Sequence, residues 1–461
     1  MKLSVYAPTE VLLENKENAK PFIENSANCA NLNDEIKFNE VLENIYNLDQ
    51  KIKEIREIIF SMDSPLIVFH HDADGISSAA IAYKALKKCG KKPRLFMAES
   101  FNKNTIDFII NEKELIILDL GSSELVNSLN NAVIIDHHQI FDKIKKPMLN
   151  PNNGNINTSL ECSSSTLSFL VFKELPEISL VGSAGDMQIP FSGINGLIAN
   201  KLVSLNYYIK ERNSFKFKHI PLKLALKMSK IKVFQNDQSV QYFLNELKIN
   251  PWKKFIDLNK QERTNFINAL TDICYYTEDQ GLNKLIFDEY IIANNNYSLT
   301  SFATLLNAAG RWKHWWVGIK ACLNDQEALK ESEKLLYTHR KKLKEGYEIA
   351  KRCLTYKDNV IIFKSSKINP SIIGIVCNKI KEEYKKPVIG ICEKGETCKI
   401  SIRADNINVA ELIKRSCNEI EAISAGGHLN AGGAEINNDY VDLFIDNFIY
   451  NMKECIRFKN I

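Results

Sequence analysis

Between Pro65 and His138 the sequence repeats one pattern: a short, wholly apolar run, then an acidic or imidazole side chain, then a stretch of helical spacing. The run 66–69 leads into His70-His71-Asp72-Ala73-Asp74-Gly75, the run 115–118 into Asp119, and the run 132–135 into Asp136-His137-His138. Residues 76–88 and 122–129 carry the helical patterns in between. Apolar runs without alternation fit strands buried on both faces, and strands alternating with helices fit a parallel sheet of βαβ units. The predicted fold class is therefore α/β. Such sheets bind ligands beyond the carboxyl ends of their strands, which is where the polar residues closing each run would stand.

The chain has 461 residues, long enough for about three domains, or two with an insertion. Residues 1–60 form an N-terminal segment in which Ile45, Leu48, Ile52, Ile55, Ile58 and Ile59 recur at helical steps, predicting an amphipathic helix over 34–60. A catalytic α/β domain is expected over 61–200. Residues 201–325 are expected to hold a basic, helical insertion and the rest of that lobe, and 326–356 a connecting helix. A smaller α/β domain follows over 357–461, where 359–363, 372–380, 387–391, 399–402 and 409–417 alternate strand and helix signals.

Composition narrows the function classes. With 25% charged and 45% hydrophobic residues, the chain is neither disordered, collagenous nor a disulfide scaffold. No apolar stretch approaches the ~18 to 20 residues of a membrane span, and the N-terminus carries no signal-peptide core. A cytoplasmic protein without a membrane partner is expected. Eleven Cys without any C-x-x-C fit free thiols in a reducing compartment rather than a zinc ribbon or iron–sulfur cluster. A net charge of +4 leaves any nucleic-acid surface to local clustering. Residues 201–235 offer one, with nine Lys/Arg against one acidic residue, interleaved with Tyr207, Tyr208, Phe215, Phe217 and Phe234. Two readings are open: basic groups tracking a phosphate backbone beside stacking aromatics, or a solvated basic face whose aromatics point into a core.

The strand ends carry the chemistry. Were the first strand to continue, its period of two would put His70, Asp72 and Asp74 on one side, with Gly75 turning the chain into a helix. Carboxylates with an imidazole suit a hard or borderline divalent cation such as Mn²⁺ or Mg²⁺; the competing reading is a polar turn with an Asp helix cap. Asp119 alone could equally be a turn former. In Asp136-His137-His138 the adjacent rings point in different directions, so one can bind metal while the other faces substrate and Asp136 orients an imidazole. Gly182-Ser183-Ala184-Gly185-Asp186 brings one more carboxylate into a tight space. Together these groups suffice for a two-metal centre.

The ordered set His70-x-Asp72-x-Asp74-Gly75, Asp119, Asp136-His137-His138 and Gly185-Asp186 resembles the four signature motifs of the DHH phosphoesterase superfamily. Asn307-Ala308-Ala309-Gly310-Arg311 resembles the Asn-Ala-x-Gly-Arg segment of RecJ-type exonucleases. Ser401-Ile402-Arg403 and Gly426-Gly427-His428-Leu429-Asn430-Ala431-Gly432-Gly433 resemble the DHHA1 domain, whose Gly-Gly-His loop and Ser-x-Arg bind nucleotide phosphate. The resemblance covers about 65–436. It implies a DHH domain over 61–200, a substrate-binding DHHA1 domain over 357–461, and an archaeal-type RecJ-like exonuclease specific for single strands.

Carried over by position, the resemblance makes Asp72, Asp74, Asp119, His137 and Asp186 ligands of two divalent cations, Mn²⁺ or Mg²⁺, with Asp119 bridging. His70 stands where bacterial relatives have Asp, and is counted with the ligands. His138 would contact the scissile phosphate, with Asp136 beside it as a second catalytic residue. Arg311, Ser401, Arg403, Gly426, Gly427 and His428 would bind substrate. Physically, glycines let backbone N–H groups approach an anion, and Arg403 can grip a phosphate bidentately with the Ser401 hydroxyl adding a donor; a plain glycine turn is the competing reading. Arg311 fits a phosphate contact or a structural ion pair. The expected activity is metal-dependent phosphodiester hydrolysis of single-stranded DNA or RNA from an end, in repair or replication. A phosphodiesterase for short oligonucleotides or dinucleotides is the second reading, and a structural subunit of a GINS/MCM-type replication complex the third.

Overall fold

Leu66, Ile67, Val68 and Phe69 have no exposed surface, and neither do the residues of the run 115–118. Such strands must lie inside a sheet covered on both faces. In the computed structural model, which describes residues 48–140, 143–151, 156–277, 281–282, 285–418, 420, 422–428 and 430–459, they are β1 (Leu66–His70) and β3 (Leu115–Leu118). With β2 (Arg94–Ala98), β4 (Ala132–Ile135) and β5 (Met148–Leu149) they form a wholly parallel sheet of order β2-β1-β3-β4-β5. The α/β expectation holds. The strand order reverses direction at β1, so a crevice opens beyond the carboxyl ends of β1 and β3. Helix α1 (Asp49–Ser61) buries Ile52, Ile55 and Ile59; residues 34–47 of the expected helix lie outside the described residues. α2 (Ala73–Lys88) follows β1, and the helical pattern at 122–129 is a 3₁₀ turn, Glu124–Ser128.

Two compact units divide the chain, the first mostly of described residues up to 306, the second mostly of residues 325–461. Within the first, β6 (Tyr208–Phe215) and β7 (Ile286–Ile292) pair antiparallel and bracket helices built on a core of their own, which includes Phe215, Phe234, Phe243, Phe255 and Phe266. This decides between the two readings of 201–235. Tyr208, Phe215 and Phe234 are buried and Phe217 packs against the same core, so those rings are unavailable for stacking. Part of the positive charge is paired: Lys218 with Glu211 and Glu289, Lys210 with Asp288, and Lys223 and Lys227 with Asp237. The exposed rings of this insertion are Tyr242, Trp252, Tyr275 and Tyr276, outside the stretch the composition singled out.

The second unit holds a sheet of order β12-β13-β11-β10-β9-β8, made of β8 (Thr355–Lys357), β9 (Val360–Lys364), β10 (Val388–Lys394), β11 (Thr397–Arg403), β12 (Ala422–His428) and β13 (Ala431–Asn437). β9 and β10 run parallel and the other neighbours antiparallel. One face packs on the helices Val409–Ser416 and Val441–Lys459 through Leu412, Ile413, Phe444 and Phe448. The other packs on Ile373–Tyr384 and on the long helix Gln326–Arg352 through Val376, Ile380, Tyr347 and Ala350. That long helix starts where the connecting helix was expected and ends at Arg352, before β8 begins.

His339, buried on the long helix with its ring 6.2 Å from that of Trp312, gives this unit a pH dependence. Burial, with the charges of Arg311 and Arg340, lowers its pKa to about 4, whereas an unfolded histidine titrates near 6.5. The unfolded chain therefore takes up this proton first, so the contribution is intact above about pH 6.5 and is lost progressively down to about pH 4. Going from pH 7 to pH 5 is expected to cost on the order of 1 kcal/mol through this group. Urea midpoints of the wild type and His339→Gln at both pH values check it; an equal drop in the two proteins refutes it.

Candidate metal centre

The centre begins where β1 stops. The strand ends at His70, so the period-two argument for aligning His70, Asp72 and Asp74 does not apply. Gly75 closes over the strand end instead: a Cβ there would lie 2.2 Å from the His70 carbonyl oxygen. Asp72 caps α2, its Oδ1 accepting from the N–H groups of Asp74 and Gly75 at 3.1 and 3.0 Å. Its Oδ2 stays turned toward His70, 2.8 Å from Nδ1. One carboxylate thus satisfies both the capping and the site geometry. Burial pushes Asp72 up, but the charges of His70 and His71 and its hydrogen bonds hold it well below the usual carboxylate range.

Asp119 follows β3 with φ at +59°, a left-handed conformation that Asp tolerates better than most residues. Its N–H donates to the Ile135 carbonyl at 3.0 Å, tying the turn to β4. The carboxylate is 1% exposed and divides itself between neighbours. Oδ2 lies 3.4 Å from His70 Nδ1, and Oδ1 lies 3.6 Å from His137 Nε2 and accepts from Ser164 Oγ at 3.1 Å. Burial and the surrounding carboxylates of Asp72, Asp74, Asp186 and Asp136 push Asp119 well above its ordinary pKa. A divalent cation would reverse that balance.

Beyond β4, Asp136 is an organiser. Its Oδ1 accepts from the N–H of His137 at 2.8 Å and from His138 Nδ1 at 2.7 Å, and its Oδ2 from Ser122 Oγ at 2.6 Å. Against burial, His138, His137 and Ser122 hold Asp136 well below the usual range. Burial favours a neutral His138 ring, but the bond and charge of Asp136 lift it to about 9. That bond engages Nδ1, and the His138 side chain is 41% exposed.

His137 is fixed by Nδ1 on the Thr158 carbonyl oxygen, 3.1 Å away. Its Nε2 then faces three carboxylates, at 3.6 Å from Asp74 Oδ2, 3.6 Å from Asp119 Oδ1 and 3.4 Å from Asp186 Oδ2. Asp186 is placed as the C-cap of the helix Val181–Gly185. Those separations are long for hydrogen bonds yet suit donors sharing one ion, whose ligands at about 2.1 Å stand about 3 Å apart at right angles. Three groups of potential ligands result: His70, Asp72 and Asp119; Asp74, His137 and Asp186; and Asp119, His137 and His138. Asp119 Oδ2 is buried without a hydrogen-bond partner, as a cation ligand would be. Oxygen and imidazole donors without thiolate fit Mn²⁺ or Mg²⁺.

The other expected residues lie in the second unit. Pairing aligns Ser401 with Gly433 and Gly426, Ile402 with Gly432 and Gly427, and Arg403 with Ala431 and His428. The glycine-rich segment is therefore a hairpin rather than an open loop. Gly427 and Gly433 serve close strand approach, since a Cβ on Gly427 would sit 2.5 Å from the Ala431 oxygen and one on Gly433 2.6 Å from that of Ile400, whereas one on Gly426 would meet nothing within 4 Å. Arg403 Nη1 donates to the Ile402 carbonyl at 2.8 Å and to Ser401 Oγ at 3.2 Å. Burial lowers the Arg403 pKa from its ordinary value. Arg311 Nη1 donates to the Ser371 carbonyl at 3.4 Å.

Ser122, Thr158, Ser164 and Ser165 were not singled out by the sequence. The run Ser163-Ser164-Ser165-Thr166 is wholly buried, and a polar run opening an apolar stretch reads simply as a helix cap.

A parallel sheet with acidic and imidazole groups gathered at its carboxyl edge is thus followed in the chain by a second α/β unit. Residues 65–187 match the DHH family, N-terminal domain, and residues 357–457 match the DHHA1 domain. The chain thus carries a DHH N-terminal domain and a DHHA1 domain, and its fold is RecJ-like. It is similar to RecJ of Thermus thermophilus in complex with Mn²⁺ (TM-score 0.57, 13% identity), over 88% of this chain and 55% of that one. It is likewise similar to an exonuclease RecJ bound to manganese (0.55, 14%; 87% and 93%) and to CDC45 of Entamoeba histolytica (0.59, 12%; 87% and 97%). An uncharacterized protein of Methanocaldococcus jannaschii is 27% identical over 438 residues, covering 88% of this chain and 97% of its own. The chain thus spans about half of the Thermus protein, and likeness at these identities is one of fold. Among the described residues no helix is long and apolar enough to cross a membrane.

Proposed function

We propose that the protein is a two-metal phosphodiester hydrolase that shortens single-stranded DNA or RNA from an end. The observation carrying this is the Asp119 carboxylate, which turns Oδ2 to His70 and Oδ1 to His137 and so suits a bridge between two ions. One ion would be held by His70, Asp72 and Asp119, the other by Asp74, His137, Asp186 and Asp119. Two such cations, Mn²⁺ or Mg²⁺, would supply the lowered water pKa and the charge stabilisation that an in-line displacement needs.

The chain's own residues supply the rest. Asp136 keeps the proton on His138 Nδ1, so that Nε2–H of the cationic ring can donate to a non-bridging phosphate oxygen. Ser401, Arg403, Gly426, Gly427 and His428 would hold a substrate phosphate, with Arg311 as a further phosphate contact. Residues 61–200, continued to about 306, would act as the catalytic lobe and 357–461 as the substrate-binding domain. The fold likeness to RecJ supports this reading, and so does the grouping of His70, Asp72, Asp74, Asp119, His137 and Asp186 into sets that could hold a cation.

Digestion of 5′-labelled single-stranded DNA and RNA of about 30 nucleotides, beside a dinucleotide, is the test. With Mn²⁺ the long strand is expected to shorten stepwise, at least about tenfold faster than the dinucleotide is cleaved, and EDTA is expected to stop it. Cleavage confined to the dinucleotide supports the second reading. Inertness toward all three substrates overturns the proposal.

A further inference from the structure

We propose that Ser164 is a positioning residue that restricts two carboxylates of the centre, Asp74 and Asp119, to one-oxygen coordination, and so sets which cation the centre accepts. This rests on the two-metal reading above. The helix Ser164–Phe172 directs its first free N–H groups at Asp74: Ser164 N donates to Oδ2 at 2.7 Å and Ser165 N to Oδ1 at 2.8 Å. Free amides at a helix start favour an anion there. The Ser164 hydroxyl reaches the second carboxylate, donating to Asp119 Oδ1 at 3.1 Å. One residue therefore touches a carboxylate from each of the two ligand groups.

Neither Asp74 oxygen is free to turn. Oδ1 is pressed against Gly182, where a Cβ would lie 1.7 Å away, and Oδ2 alone faces His137. The clamp is itself anchored. Ser165 Oγ donates to the Ser179 carbonyl at 2.9 Å and accepts from Gly182 N at 3.2 Å, while Thr166 Oγ1 and Ser183 Oγ meet Asn195 Oδ1 at 2.7 and 3.0 Å. All of these side chains are fully buried. A carboxylate held this way offers an ion one oxygen. Mn²⁺ and Mg²⁺ accept six single donors at short range, whereas Ca²⁺ favours more ligands, longer bonds and chelating carboxylates.

The test is cation binding to the full-length metal-free protein, read by Mn²⁺ electron paramagnetic resonance with Ca²⁺ as competitor. Ser164→Ala is expected to weaken Mn²⁺ binding about tenfold and to narrow the Mn²⁺/Ca²⁺ preference by a similar factor, because Asp119 gains freedom to chelate. Ser164→Thr, which keeps the hydroxyl, is expected to restore both, with metal-free melting curves of the two variants confirming the fold. Wild-type binding strength and preference in Ser164→Ala would overturn the proposal. A wild type that binds no Mn²⁺ would instead overturn the two-metal reading itself.

Discussion

Asp119→Asn is expected to remove hydrolysis by on the order of 10⁴-fold or more while making the metal-free protein more stable. Asn is isosteric and tolerates the left-handed backbone at this position, and the N–H bond to Ile135 is untouched. What disappears is the negative charge placed between the two ligand groups. Burial and four neighbouring carboxylates hold the Asp119 pKa above its unfolded value. A carboxyl raised in this way favours folding when protonated, so the metal-free wild type loses stability as pH climbs from about 4 toward the raised pKa. Asparagine mimics the protonated form at every pH. Without metal at neutral pH, the variant should be more stable than the wild type. It should also lose the rise in melting temperature that Mn²⁺ confers on the wild type. Melting curves with Mn²⁺ and with EDTA, beside the digestion assay, check all three. Activity within tenfold of wild type contradicts the assignment.

Gly182→Ala should do damage of another kind. The added methyl would lie 1.7 Å from Asp74 Oδ1 and 2.5 Å from both Asp74 Cγ and Ser165 Oγ. None of these atoms is the loose end of a flexible side chain, since Asp74 is held by two amides and Ser165 by the Ser179 carbonyl. Relief therefore requires the helices carrying Gly182 and Ser164 to separate or Asp74 to leave its clamp. We expect a loss of about 3 kcal/mol, read as a fall of roughly 10 °C in melting temperature, together with loss of Mn²⁺ binding and hydrolysis. A variant that melts within about 2 °C of wild type and still binds Mn²⁺ would show that the contact is not tight in solution.

The candidate ligands were legible because each expected carboxylate or imidazole closes a run of buried residues, and burial of that kind is written in composition alone. The way they converge was not. His70 and Asp72 meet through the closure of Gly75 onto the strand end and through capping at Asp72, not through strand periodicity, and Asp74 faces His137 instead. Choosing between a cap and a ligand at Asp72 proved unnecessary, since its two oxygens face different ways. Asp119's left-handed turn leaves no trace in its neighbours, and the pairing of Ser164 with Asp74 joins residues 90 positions apart. The glycines near 430 read as a loop because strands seldom hold so many, yet here Gly427 and Gly433 let adjacent backbones approach. The rings between 207 and 234 were the reverse case: charge around them suggested a surface, and packing took three of them inside.

β6 and β7 pair through Tyr208 and Ile292 at their base, so the polypeptide leaves the parallel-sheet lobe and returns to it at a single point. An insert attached in this manner can be exchanged, enlarged or shortened over evolutionary time without shifting the acidic centre. Descendants of one hydrolytic framework are then able to acquire new molecular clients while the reaction itself stays unchanged.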